Sequence, residues 1–239
     1  LYKREFLRSN GLRFPEGLHY EDLVFSARMF QAARGISVLR EVVYIWKIYP
    51  TVVRQSITHQ RDSIRNLEQR LEALRIALGS INHEKFPGLL ARLQLKVIRH
   101  DARIYLFDVA DGKDVGLAEE TLAVLAPVIA EIPRELQTAM PLADRFMSAA
   151  TMLQDRAMVA QAVSMYRGES DFLGEVAIGE ERSLWHPEEV NAAGNELVSE
   201  LAHFETKELT GLTWFGYRLR HELVKLSRKD GGLLVRGTS

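Results

Sequence analysis

The chain has 239 residues, of which 46% are hydrophobic and 26% are charged, which is ordinary for a globular protein that buries a core. Its 31 lysines and arginines nearly balance its 32 aspartates and glutamates, so the net charge of −1 provides no global field to attract nucleic acid or anionic lipid. The absence of cysteine excludes disulfides, thiolate zinc sites and cysteine nucleophiles, and it is compatible with a reducing cytoplasm.

The first zone, residues 1–59, mixes predicted helices and strands. The segment "YKREFLRSN" predicts a short helix, and after a loop a second helix runs from about Glu21 to Ala33, with Gly35 just past its end. The following "ISVLREVVYIWKIY" is dense in β-branched and aromatic residues and predicts one or two short strands.

The second zone, residues 60–167, has helical periodicity. Apolar residues at spacings of three and four predict a seam that packs against another helix: Ile64, Leu67, Leu71, Leu74, Leu78 and Ile81. A similar stripe from Leu90 to Phe107 predicts a second long helix, and the two together predict an antiparallel helical hairpin. Further helices are predicted at 117–131, 142–153 and 155–166, with a kink at Pro127.

The third zone, residues 168–239, is rich in strand and turn patterns: "FLGEVAIG", "RSLWHP", "LTGLTWFGYRLRHELVKLS" and "GGLLVRG". The segment "EEVNAAGNELVSELAHF" stays open between helix and loop, because Leu197 and Leu201 fit a helix while Gly194 interrupts it. The predicted fold class is α+β. The chain begins with "LYKREF" inside a predicted helix and ends with "GGLLVRGTS" in a strand without a predicted partner, so we expect an excerpt from a longer polypeptide.

Glu21 and Asp22 stand directly before an apolar helical stripe in "HYEDLVFSARMF". Acidic residues in a first turn complement the helix dipole and its free N–H groups, so an ordinary helix start explains the pair taken alone. A carboxylate there can also deprotonate a sugar hydroxyl, provided that the proton leaves late and the leaving group is good. The local chemistry leaves both interpretations open.

Arg54 and Ser56 in "VVRQSITHQ" form a second candidate site. A guanidinium and a hydroxyl two residues apart in an irregular segment can bind a diphosphate through charge-assisted hydrogen bonds. The structural alternative is an exposed loop in which Thr58 or Asp62 caps the following helix.

Four separated pieces follow one another in the first 60 residues: "YKREFL", "NGLRFPEGLHYEDLVF", "VVYIWK" and "RQSIT". In their order and spacing they resemble the C-terminal half of the catalytic domain of family 2 glycosyltransferases, the inverting GT-A type enzymes that build bacterial surface polysaccharides and decorate wall teichoic acids. The resemblance implies that Asp22 is the general base for the acceptor hydroxyl and that Glu21 is a supporting carboxylate. It also implies that Arg54 and Ser56 lie over the nucleotide diphosphate and help neutralise the leaving group.

The resemblance further implies a divalent metal, Mn²⁺ or Mg²⁺, held by an acidic D-x-D type motif in an N-terminal nucleotide-binding half. Neither that motif nor that half is in the 239 residues, so this fragment alone is not expected to catalyse transfer. The expected partners are a nucleotide-sugar donor and a polysaccharide or teichoic-acid-like acceptor, with self-association through the helical or β-rich region and no nucleic acid. The expected location is cytoplasmic, with peripheral attachment at the inner face of the membrane left open.

The resemblance also suggests a division into residues 1–59 as part of a GT-A domain, 60–167 as a helical linker or bundle, and 168–239 as an incomplete, sandwich-like β-rich domain. The competing hypothesis is a non-catalytic assembly module in which the 64–107 hairpin mediates oligomerisation. His100 with Asp101 is interpreted as a polar pair at a helix contact, because no third ligand has suitable spacing for a metal. His59 is interpreted as a surface-loop residue.

Four aromatic residues in the third zone allow two interpretations: Trp185, Trp214, Phe215 and Tyr217. They could form a sugar-stacking platform, but in strands such residues are more often part of the core.

Overall fold

The computed structural model describes residues 2–37, 40, 42, 45, 61–112, 114–169, 176–177, 182–205, 208, 223–229 and 232–237. Its helices are α1 Arg4–Ser9, α2 Glu21–Ala32, α3 Ile64–Gly79, α4 Pro87–Lys96, α5 Arg103–Ala110, α6 Val115–Ala130, α7 Arg134–Thr138, α8 Leu142–Met152, α9 Arg156–Arg167, α10 Pro187–Ala193 and α11 Glu196–Ala202. Its strands are β1 Val176–Ala177, β2 Ser183–Trp185, β3 His203–Phe204, β4 Leu223–Lys229 and β5 Gly232–Gly237. Helices predominate, and the predicted α+β class is confirmed at that level.

The strands form two small antiparallel sheets. One has the order β1-β2-β3, and the other is the hairpin β4-β5, in which Leu226 pairs with Val235. The prediction that the last strand lacks a partner was therefore wrong, because β4 provides one. The described residues do not display a GT-A half or a β-sandwich.

Contacts divide the chain into two compact units, Leu1–Val97 and Ile98–Ser239, called here the first and second unit. This division does not coincide with the boundaries suggested near residues 60 and 168, which stay a prediction. The first helix of the predicted linker, α3, belongs to the first unit because it packs on α2.

The core of the first unit lies where α2 meets α3. Val24 and Ala27 of α2 pack with Ala77 and Ile81, and α4 adds partly buried leucines to the same cluster. The small alanine side chains let the helices approach closely, which increases dispersion contacts. The predicted hairpin is therefore present in part: α3 contacts α4 but packs mainly on α2, while α5 packs on α9 and α6 in the second unit.

Hydrogen bonds fix the ends of these helices. Ser63 is the N-cap of α3, its Oγ accepting from the N–H of Arg65 at 3.3 Å, so the predicted cap at Asp62 lies one residue too early. Gln31 of α2 donates through Nε2 to the carbonyl of Ser80 at 3.0 Å and accepts from the N–H of Asn82 at 2.8 Å. These two bonds join the end of α2 to the end of α3.

The second unit is organised around α8, which packs on α9, α11 and α6. Phe146 is fully buried, stacks on Trp185 with 4.3 Å between ring centroids, and meets the edge of Phe204 at 5.7 Å. Four methionines are buried in this unit: Met140, Met147, Met158 and Met165. Trp185 is thus a core residue, as its position in a strand indicated.

The helices predicted at 117–131, 142–153 and 155–166 are confirmed as α6, α8 and α9. Pro127 lies inside α6. The segment left open between helix and loop forms two helices, α10 and α11, because Gly194 takes a left-handed conformation (φ +59°) that ends one and Asn195 caps the next.

The second long helix, predicted from Leu90 to Phe107, is not a continuous α-helix. A π-helical segment, Val97–Ala102, lies between α4 and α5, and it contains His100 and Asp101.

Candidate functional site

The start of α2 presents the two candidate carboxylates. Glu21 and Asp22 occupy its first turn, as predicted, and the N-cap Tyr20 has left-handed backbone angles of φ 60° and ψ 34°. Tyr20 makes no side-chain cap, although its carbonyl accepts from the N–H of Leu23 at 3.1 Å. The free N–H groups of the first turn therefore face a region where negative charge is favourable.

The two carboxylates differ in exposure. Asp22 is exposed and Glu21 is partly buried. Within the described part of the chain, neither makes a hydrogen bond or an ion pair. Both oxygens of Asp22 are therefore without a partner among the described residues, and each can accept a proton or a hydroxyl hydrogen bond.

Tyr20 joins this turn to α3. Its hydroxyl donates to Oδ1 of Asn66 at 2.9 Å, and the guanidinium carbon of Arg70 lies 4.8 Å from the centre of its ring. Tyr20, Asn66 and Arg70 are all buried. Sequence reasoning missed this contact, because a separation of 46 residues carries no periodic signal.

Aromatic rings flank the same helix. Phe25, one turn after Asp22, is buried beneath Phe14, which stacks on it with ring centroids 4.1 Å apart and planes 8° apart. Tyr2 meets Phe25 edge-on at 5.4 Å. Phe14 and Tyr2 remain about half exposed, at 52% and 49%. The carboxylates therefore stand one turn from an exposed aromatic surface.

Several candidate residues lie outside the described residues: Arg54, Ser56, His59, Trp214, Phe215 and Tyr217. Their predicted roles stay predictions. Among the residues that the structure does describe, no group of three or more histidines, aspartates or glutamates could hold a metal ion. His100 is exposed and Asp101 is buried, and each has an interaction partner in the structure.

A buried charge cluster in the second unit was not predicted. Asp144, 2% exposed, accepts from Nε of Arg99 at 3.0 Å and from Nη2 of Arg103 at 2.5 Å. Arg103 also donates to the hydroxyl of Tyr166 and lies over its ring, 4.1 Å from the centre. The cluster ties α5, α8 and α9 together, which is a structural role.

Arg167 ends α9 with a second ion pair. It donates to Asp111 at 2.7 Å, and its guanidinium lies 4.7 Å from the centre of the Phe107 ring. The hydrogen bond that Arg167 donates to Asp111 raises the pKa of Arg167 above its usual value, outweighing the opposing effect of burial. A fixed cation at this position also complements the C-terminal end of the helix dipole.

No family model matches this chain, and neither a curated protein nor a solved structure shows significant similarity to it. The resemblance to family 2 glycosyltransferases therefore stays a prediction. Over the residues that the structure describes, no helix combines the length and the apolar character needed to cross a membrane.

Proposed function

We propose that this chain is the acceptor-side part of an inverting bacterial family 2 glycosyltransferase, comprising the second half of a GT-A catalytic domain, a helical linker and the start of a β-rich, sandwich-like domain. The full-length protein would transfer a sugar from a nucleotide-sugar donor to a hydroxyl of a cell-surface polymer or glycan. One observation supports this proposal: the carboxylate of Asp22 is exposed and has no hydrogen-bond or ion-pair partner among the described residues. It lies in the first turn of α2, whose N-cap Tyr20 donates a hydrogen bond to Asn66.

In the proposed reaction, the acceptor oxygen attacks the anomeric carbon from the face opposite the leaving group. The bond between that carbon and the diphosphate oxygen breaks, and the nucleoside diphosphate leaves with the electron pair. Asp22 takes the proton of the acceptor hydroxyl, and Glu21 orients that acceptor through a hydrogen bond. Arg54 and Ser56 stabilise the charge that develops on the leaving diphosphate.

The family resemblance implies Mn²⁺ or Mg²⁺ bound to the donor. The described residues do not provide a set of three ligands for it, so no step proposed here passes through a metal.

The alternative proposal is a non-catalytic assembly module in which the 64–107 hairpin mediates oligomerisation, and the apolar seam of α3 is one part of that hairpin. That seam is largely buried within the first unit, with Leu67, Leu71 and Leu74 each less than 9% exposed. These side chains are already covered by their own chain, and a second copy would find little of the seam accessible. The seam of α3 therefore offers little surface for such an assembly.

The test is Asp22→Asn in the full-length protein, because asparagine keeps the shape of the side chain but cannot take the proton. Transfer would be followed as nucleoside diphosphate release from a panel of UDP- and GDP-sugars with methyl glycosides as acceptors. We expect the rate to fall by about 10²- to 10⁴-fold, the usual contribution of general acid–base catalysis, with donor binding unchanged.

Two controls accompany this variant. Glu21→Gln should lower the rate less than Asp22→Asn does, because Glu21 only orients the acceptor. Asp62→Asn changes another exposed carboxylate close to a helix start and should leave the rate unchanged. A normal transfer rate in Asp22→Asn would show that Asp22 is not the base.

A further inference from the structure

Two polar residues of α3 are buried beside the start of α2. Asn66 and Arg70 are each 6% exposed, and they lie one turn apart on the helix face that meets Tyr20. Burying polar groups is unfavourable unless they find partners, so their presence in place of apolar residues restricts the geometry of this contact. An apolar pair could slide, whereas the hydrogen bond between the Tyr20 hydroxyl and Asn66 fixes one separation and one direction.

Tyr20 itself has an unusual backbone. Only three non-glycine residues among those described have positive φ, and Tyr20 is one of them. A non-glycine residue in this region persists when its surroundings hold it there. The side chain of Tyr20 is held by Asn66 at its hydroxyl and by Arg70 at its ring face, so α3 stabilises the turn from which α2 begins.

Asp22 follows Tyr20 by two residues, and its carboxylate makes no hydrogen bond or ion pair with the described residues. The backbone of this turn therefore sets where the Cα and Cβ of Asp22 lie, and with them the region that its carboxylate can reach. We infer that Tyr20, Asn66 and Arg70 are positioning residues for Asp22, and that α3 thus belongs functionally to the catalytic site. This inference rests on the proposed function, since it gives residues outside the resembling segment a part in the same reaction.

The primary variant is Tyr20→Phe, which removes only the hydroxyl and leaves the ring for Arg70. In the full-length protein we expect kcat to fall about 10- to 100-fold, because small misplacements of a catalytic group cost rate of this order, while the donor KM stays unchanged. Asn66→Ala should lower kcat similarly, and the double variant should be no slower than either single variant. A smaller folded fraction would also lower the apparent kcat at unchanged KM, so kcat is calculated per folded molecule, with the folded fraction of each variant measured by circular dichroism.

The matched control is Tyr166→Phe, which removes a phenol hydroxyl hydrogen-bonded to Arg103 in the second unit. It should leave kcat unchanged. A second measurement is independent of activity: the amide of Leu23, which donates to the Tyr20 carbonyl, should exchange hydrogen faster in Tyr20→Phe than in the unaltered protein when followed by NMR. Exchange in Tyr166→Phe should be unchanged at Leu23.

The outcomes separate this inference from the proposed function. If Asp22→Asn is inactive but Tyr20→Phe has normal kcat and normal Leu23 exchange, the positioning role is refuted and the base remains. If Asp22→Asn transfers normally, Asp22 is not the base, and Tyr20, Asn66 and Arg70 cannot be positioning residues for a base at Asp22. Faster Leu23 exchange would then still show that the contact with α3 orders the turn.

Discussion

Asp144→Ala should destabilise the second unit by about 3 to 5 kcal/mol, the usual cost of removing one partner from a buried ion pair. The carboxylate is 2% exposed and its two arginines contribute unequally. The Arg99 side chain is 48% exposed, so water solvates its guanidinium once Asp144 is removed. The loss of this ion pair therefore contributes less than about 1 kcal/mol to the destabilisation. Nearly all of the cost therefore comes from Arg103.

Arg103 would be left in an unfavourable environment. Its side chain is 13% exposed, and its Nε is already buried without a hydrogen-bond partner. Without Asp144 the guanidinium would keep the contact with the hydroxyl and ring of Tyr166. A charge with this degree of burial and no counter-ion is strongly destabilising.

The assay is native-state hydrogen exchange of the α8 amides in the full chain, which reports the free energy of opening the second unit. Arg99→Ala is the control and should cost less than about 1 kcal/mol. The double variant Arg103→Met with Asp144→Leu should recover most of the stability lost in Asp144→Ala, because it removes both charges. Equal losses in Asp144→Ala and Arg99→Ala would refute the argument, since they would show that the carboxylate is not desolvated.

Two further predictions concern packing and backbone conformation. Phe146→Ala should cost about 3 to 5 kcal/mol by urea denaturation, because it empties a fully buried site between Trp185 and Phe204, and a loss below about 1 kcal/mol would contradict that packing. Gly194→Ala should cost about 1 to 2 kcal/mol through its positive φ alone, since an added Cβ there meets nothing within 4 Å. Gly79→Ala, in a helix and equally uncrowded, should instead stabilise by about 0.5 to 1 kcal/mol, and thermal unfolding of the pair should show opposite signs.

Local patterns predicted the local structure well. The acidic pair at Glu21 and Asp22 indicated where α2 begins, and the periodicity of the second zone placed α6, α8 and α9. The segment around Gly194 stayed open because a glycine inside an apolar pattern weakens a helix prediction. A glycine followed by asparagine could have indicated the end of one helix and the cap of the next.

Long-range contacts were not predictable in the same way. The seam of α3 required an apolar partner, but its spacing could not say whether that partner was α2 or the following helix. The contacts of Tyr20 with Asn66 and of Arg103 with Asp144 join residues 46 and 41 positions apart, and each residue alone resembles an ordinary surface group. The π-helical segment also has no periodic signature, because it adds only a short irregularity to a helical pattern.

The buried methionines have a chemical consequence. Peroxide oxidises thiols and thioethers that it can reach, and this chain has no thiol to compete for it. Met29 and Met152 are partly exposed, whereas the other four lie in the core of the second unit. Their conversion to sulfoxide therefore requires that core to open. The oxygen mass gained at these four positions thus measures how often the core of the second unit becomes accessible to solvent.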